Sequence, residues 1–252
     1  MPFHEKKNYC FMDRLFIVLF VLPFLLSLTV AARPVNGSPS GTVPESMQDT
    51  VYSRQLLYNG RVWESRYQKI LSHEFFMTRN PVSGTVTING KTFDNTLLRY
   101  DIYTDELLIL YGSDTFIQLN KEAVTSFTLD IDGTRYLFEN FDNNNLNSPK
   151  GYGQVIYHGD IYLIKKHIKE IRKNAVENKY DSFNEGQSTW LVRGDVYYRL
   201  SGRKDLYRAL NDRASEVKSF VRSRGLRFSI KEPESLILIL EFYDSLKSKT
   251  RE

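Results

Sequence analysis

Three acids, Asp101, Asp105 and Glu106, stand among apolar and aromatic residues in LLRYDIYTDELLIL, residues 97 to 110. Two carboxylates held close together can divide labour, one protonated as general acid and the other ionised as base. The pairs that spacing allows are Asp101 with Asp105 and Asp130 with Asp132. The pattern around them points to a different role. Leu98, Tyr100 and Ile102 fall on one face of a strand, and Leu107, Ile109 and Tyr111 on a face of the next. Tyr103 to Glu106 is then a bend, with Asp105 bonding to local backbone, Glu106 facing water and Asp101 on the polar face beside Arg99 or a cross-strand partner. Acids at hairpin reversals are usually solvated, and no tuning pocket shows in the pattern. No catalytic residue is therefore expected, and a hydrolase built on acids of the sheet is the least favoured alternative.

Other chemistries lack their residues. Metal binding needs clustered ligands, yet His73, His158 and His167 show no i, i+3 or i, i+4 spacing on a helix pattern. DNNNLNSPKG, residues 142 to 151, has Asp142 and Asn144 at calcium-loop spacing, but Leu146 takes the third ligand position and the closing Glu is missing. GSPSG at 37 to 41 puts Pro39 where a nucleophilic serine would stand. Gly151-Tyr152-Gly153 has Ile156 in place of a third glycine and leads into a strand, not a helix that could hold phosphate. Neither a metal nor a cofactor site is expected.

The elements that must position these residues begin with a leader. Lys6, Lys7 and Arg14 precede an uncharged run from Leu15 to Val30, followed by Ala31 and Ala32. Basic flank, apolar middle and small cleavage-site residues are the parts of a secretory signal, and the run with Pro23 is short for a bilayer span. Residues 1–32 are read as a signal peptide, with no transmembrane segment after cleavage. Cys10 leaves with it, so the mature chain has no thiol. Residues 33–50, rich in Pro, Gly and Ser, are a flexible linker. The leader takes three of the 34 basic and two of the 30 acidic residues, which leaves a net of about +3. That balance argues against a nucleic-acid partner.

Residues 51–252 form one domain, β-rich over 51–200 and helical over 203–250. GTVTINGKTF turns at Asn89-Gly90 and FTLDIDGTRYLF at Asp132-Gly133, the strongest short-range hairpin signals. Two more pairs of strands meet at His158-Gly159 and Gly194-Asp195. Leu206, Leu210, Ala214, Val217 and Val221 recur at steps of three and four, which predicts one amphipathic helix to about Gly225. Pro233 opens a second, ESLILILEFYDSLK, apolar enough to lie buried on the sheet. The fold class is α+β: an antiparallel β-meander, with room for curvature or partial closure, followed by two C-terminal α-helices.

LYNGRVW (57 to 63), GTVTINGKTFDNTLLRYDIYTDELLIL (84 to 110), GYGQVIYHGDIYLIKK (151 to 166) and KDLYRALNDRASEVKSFVRSRGLRF (204 to 228) together carry a resemblance. The chain resembles a group of exported proteins of Bacteroidetes-type bacteria for which no activity is established. What the resemblance implies is an envelope location, periplasmic or outer-membrane-associated, and no site residues.

Two features suit binding. KKHIKEIRKNAVENK, residues 165 to 179, could meet an acidic or lipid partner, though interspersed acids favour a solvated strand end. Phe75, Phe76, Tyr100, Tyr152, Tyr162, Trp190, Tyr197 and Tyr198 could line a pocket, though cross-strand packing is their ordinary use. The expected function is a non-catalytic envelope module that binds or scaffolds a partner. The alternative is a periplasmic carrier of an apolar ligand or lipid between sheet and helices.

Overall fold

The computed structural model describes residues 52–67, 69–142, 145–173 and 181–251. The leader and linker expected over residues 1–50 lie outside them, as do Asn143, Asn144 and residues 174–179 of the basic stretch. After a short helix α1 (52–57) come strands β1 (Arg61–Val62), β2 (Val82–Ile88), β3 (Lys91–Asp101), β4 (Glu106–Tyr111), β5 (Thr115–Gln118) and β6 (Val124–Ile131). They are followed by β7 (Thr134–Asn140), β8 (Tyr152–His158), β9 (Tyr162–Arg172), β10 (Ser182–Arg193) and β11 (Val196–Leu200). Helices α2 (Arg203–Ala209), α3 (Ala214–Ser223) and α4 (Glu234–Arg251) complete the fold, which is α+β as the patterning indicates. Among the described residues no helix is long and apolar enough to cross a membrane.

The expected turns form. Asn89-Gly90 and Asp132-Gly133 both hold positive φ at each residue, +48° and +78° in the first and +48° and +76° in the second. Two left-handed residues in succession match the twist of the strands they join. All strand neighbours are antiparallel, in the order β1-β5-β4-β3-β2-β6-β7-β8-β9-β10-β11.

Sequential order breaks twice: β1 pairs with β5, and β6 returns to the far side of β2. On a flat sheet the way from β5 to β6 is four strand spacings, about 19 Å. Residues 119–123 would need to be almost fully extended to cover it. They are not extended: Leu119 N–H donates to Leu107 O at 2.9 Å, and Ala123 N–H turns back to Asn120 O at 3.0 Å. The β2–β5 part therefore curls strongly, while β5 and β6 stay unpaired and the sheet remains open.

The core has two main parts. Inside the curl, Val86, Leu98, Tyr100, Leu107, Ile109, Phe127, Phe138 and Tyr152 are each at most 1% exposed. Phe127 and Phe138 stack at 4.9 Å, with Tyr100 edge-on to both. The second part is the seam between sheet and helices, where Ile161, Leu163 and Leu191 meet Leu206, Leu210, Leu240 and Tyr243.

The helix expected from 203 to 225 is broken at Leu210, whose φ/ψ of −102°/30° leads into a single 3-10 turn, Asn211–Arg213. The break lets two other elements reach the backbone and Asp212. Arg193 of β10 donates to Ala209 O at 3.0 Å and to Asp212 Oδ1 at 2.8 Å, and Tyr243 Oη of α4 donates to both Asp212 oxygens at 3.0 Å. Helix α4 is buried along one face only, since Leu236, Ile239, Leu240 and Tyr243 are at most 1% exposed but Leu238 is 48% exposed.

Candidate functional site

The β3–β4 hairpin carries all three acids of the opening motif, and Asp101 and Glu106 are direct cross-strand partners at its end. The bend falls where expected, but Asp101 is buried and Asp105 largely so, while Glu106 is half-buried at the cleft wall. Residues 74–76 pair with the end of β3 through Phe76 N–H to Tyr100 O and Ile102 N–H to Glu74 O. Phe75, Trp63 and Phe116 thereby cover the face that alternation marks as polar, and Leu108 is buried there. Arg99 lies flat between the rings of Phe75 and Phe116, 4.6 and 4.0 Å from their centres.

Asp101, 1% exposed, closes the turn by accepting Tyr103 N–H at 2.9 Å and Thr104 N–H at 3.0 Å. Burial raises its pKa against these bonds. Asp105 adopts the left-handed region, φ +61°, which turns its carboxylate inward. There it accepts from Lys121 Nζ at 2.5 Å, Lys166 Nζ at 2.7 Å and Tyr100 Oη at 2.6 Å. Burial alone would lift this carboxyl, but the Lys166 and Lys121 ammoniums outweigh it and hold the group below the usual range. Lys166 also donates to Tyr152 O at 2.8 Å, and its own pKa is lowered by burial despite Asp105. Gly151 makes room for this cluster: a Cβ there would lie 1.7 Å from Asp105 Oδ2. Asp105 is thus a charge anchor, in place of the local turn residue expected.

The basic stretch of β9 also departs from expectation. Lys166, His167 and Lys169 are at most 9% exposed, because β9 lies between β8 and β10 and these side chains meet Asp105, Gln154 and the 73–75 backbone, while Ile168 between them is 39% exposed. Lys169 Nζ donates to His73 O at 2.9 Å and Phe75 O at 2.6 Å, and so ties down the covering segment. His167 packs edge-on against Phe76 at 4.9 Å, and its Nε2 pairs with Gln154 Oε1 at 2.8 Å. Burial pushes its pKa down to about 4.

Above the Asp105 anchor, two clefts of about 700 and 230 Å³ lie side by side and share Arg61, Glu106 and Gln118. The larger is walled further by Lys121, Glu122 and Asp142, the smaller by Trp63, Arg66, Tyr67 and Asp101. Strand β1 approaches β5 closely only because residue 60 is glycine, whose Cβ would fall 1.8 Å from Gln118 O. The approach brings Arg61 Nε to Gln118 Oε1 at 3.0 Å, with Glu106 beside them on the wall that both clefts share. Burial raises the Glu106 pKa, opposed by Gln118 and Lys121. Asn140 Nδ2 fixes the cleft rim by donating to Lys121 O at 2.9 Å and Val124 O at 3.0 Å. The arrangement offers donors and acceptors in a row, on a rigid base.

No protein-family model, curated protein or solved structure matches the chain.

Of the residues singled out by sequence, the structure brings Asp101 and Glu106 to the clefts and puts Asp105 beneath them. Asp130 and Asp132 belong elsewhere: Asp130 holds Arg135 in two bonds of 2.7 and 2.9 Å on the surface, and Asp132 sits in its tight turn. His158 stacks on Tyr162 at 4.1 Å. Phe75, Phe76, Tyr100 and Tyr152 are core, at most 4% exposed. Arg61, Gln118, Lys121, Trp63 and Tyr67 escaped sequence reasoning. Only NGR at 59 to 61 gave a local signal, a turn glycine followed by a cation.

Proposed function

We propose that this chain is an exported cell-envelope binding module, non-catalytic, that takes a polar ligand in the paired clefts beside β1. The observation that carries the reading is the Arg61–Gln118–Glu106 row, shared by both clefts, with Arg61 bonded to Gln118 and the Asp105–Lys121 ion pair alongside. A side chain held by a neighbour, as Arg61 Nε is by Gln118, loses less freedom when it binds, which favours recognition. The acids that could have worked as catalysts are committed: Asp101 to two backbone N–H groups, Asp105 to two lysines. The leader pattern of residues 1–32 and the resemblance to exported proteins support the location.

Hydrogen exchange of the mature protein, with and without the small-molecule fraction of an envelope extract, tests the reading. Slowed exchange over residues 60–64 and 104–122 is the expected result, and unchanged exchange there counts against it. The carrier alternative needs space between sheet and helices, whereas Ile161, Leu163, Leu191, Leu236, Ile239 and Leu240 fill that seam at no more than 1% exposure. The hydrolase alternative requires any turnover detected to vanish in Asp101→Asn, and survival of turnover in that variant removes it.

A further inference from the structure

We propose that the ligand of the paired clefts is a neutral glycan, an assignment that rests on the binding reading above and narrows it. Charge is the first argument. In the larger cleft Arg61 faces Glu106, Glu122 and Asp142, with Lys121 already paired to Asp105, and in the smaller one Arg61 and Arg66 face Glu64 and Glu106, with Asp101 buried behind them. A phosphate or carboxylate would meet acids on every wall, and a metal or ammonium ion would meet guanidinium. Neither sign of ligand charge is served, so the field selects against ions and for a neutral polar molecule.

The second argument is hydrogen-bond parity. A sugar hydroxyl both donates and accepts, and neighbouring hydroxyls ask for a donor and an acceptor side by side. Arg61 spends Nε on Gln118, which leaves its terminal nitrogens as donors next to the Glu106 carboxyl as acceptor. Gln118 lines both clefts with them and holds Arg61 by its Nε. The third argument is the pair of rings. Trp63 and Tyr67 line the smaller cleft, and Trp63 is held by Phe75 at 5.7 Å and Phe116 at 6.3 Å. An indole fixed beside charged groups serves a ligand with one apolar C–H face and a hydroxylated edge, which describes a pyranose ring. The larger cleft alongside, about 700 Å³, has the volume of a small-molecule site and gives further sugar units a place to continue.

The test is calorimetric titration of the mature protein with neutral hexasaccharides of glucose, xylose, mannose and N-acetylglucosamine, and with polygalacturonate and heparin as charged comparators. At least one neutral saccharide is expected to bind saturably, with Glu106→Ala weakening it about tenfold or more, the loss of one buried hydrogen-bond partner. Trp63→Phe, which keeps a ring in the core, should weaken the same saccharide and abolish its effect on indole fluorescence, and it serves if Glu106→Ala does not fold. Preference for a charged comparator overturns the assignment, as does saccharide binding unaltered in both variants. If the envelope fraction slows exchange over residues 60–64 and 104–122 but no neutral saccharide binds, the glycan assignment fails alone. If neither acts, the binding reading fails with it.

Discussion

At the scale of single residues, Asp105 is the group on which most depends. It is the shared counter-ion of Lys121 and Lys166 in a setting where Lys166 is 8% exposed. Removing one member of such a group leaves charge buried without a partner. Asp105→Asn should lower stability by about 3 kcal/mol in urea unfolding. Adding Lys166→Met should recover much of that, because an apolar side chain needs no counter-charge; no recovery would mean that the ion pairs are not what is lost. His167 makes a second prediction. Its folded pKa, about 4, lies below its ordinary value of 6.5. The unfolded chain therefore binds the proton first, so stability is complete above pH 6.5 and is lost as pH falls from 6.5 to 4. The loss is on the order of 3 kcal/mol. Burial raises Asp101, Glu74 and Glu106, which act in the opposite sense in acid, so the comparison must be made against His167→Leu. Denaturant midpoints at several pH values should flatten over that interval in the variant.

At the scale of elements, two polar junctions hold the C-terminal helices to the sheet: Asp244 accepts from Tyr157 Oη and Asp160 N–H, and Asp212 receives Tyr243 Oη and Arg193. Tyr243→Phe removes the hydroxyl alone and should cost about 1–2 kcal/mol in thermal unfolding, with little change in circular dichroism. The Asp212 junction also marks where sequence reading stopped. The hairpins at Asn89-Gly90, Asp132-Gly133 and Gly194-Asp195 were legible because a left-handed turn demands those residues locally. The break at Leu210 was not, because the periodic apolar positions run straight through it and the groups that bond to it, Arg193 and Tyr243, come from other elements. The same holds for the clefts. Lys166 and Lys169 look like surface cations in their own segment, and only the covering residues 73–76 and the β5–β6 return make them interior. Alternation tells which side chains share a face; it does not tell what later covers that face.

At the scale of the whole molecule, β9 joins the two halves of the core. Its Leu163 belongs to the helix seam, while Lys166 and His167 three and four residues on serve the curled half. Neither half should melt alone. Trp63 reports on the curl and Trp190, on β10, on the strand beside β9. Thermal transitions followed in Trp63→Phe and Trp190→Phe should therefore coincide after correction for any shift in overall stability, and two separated midpoints would refute the coupling. Export makes a further prediction at this scale: the N-terminus of protein recovered from envelope fractions should follow Ala32, and an intact Met1 would contradict cleavage.

The placement of β6 beside β2 has a consequence for biosynthesis. Strands β2 to β5 can form their hairpins as soon as they emerge, but Val86, Thr87 and Ile88 wait for Val124, Ser126 and Phe127 to be delivered. Until then β2 presents an unsatisfied apolar margin, open to pairing with any extended chain nearby. That non-local closure is a feature of the slower-folding topologies. A nascent chain is most open to such pairing while residues 89 to 123 are being completed.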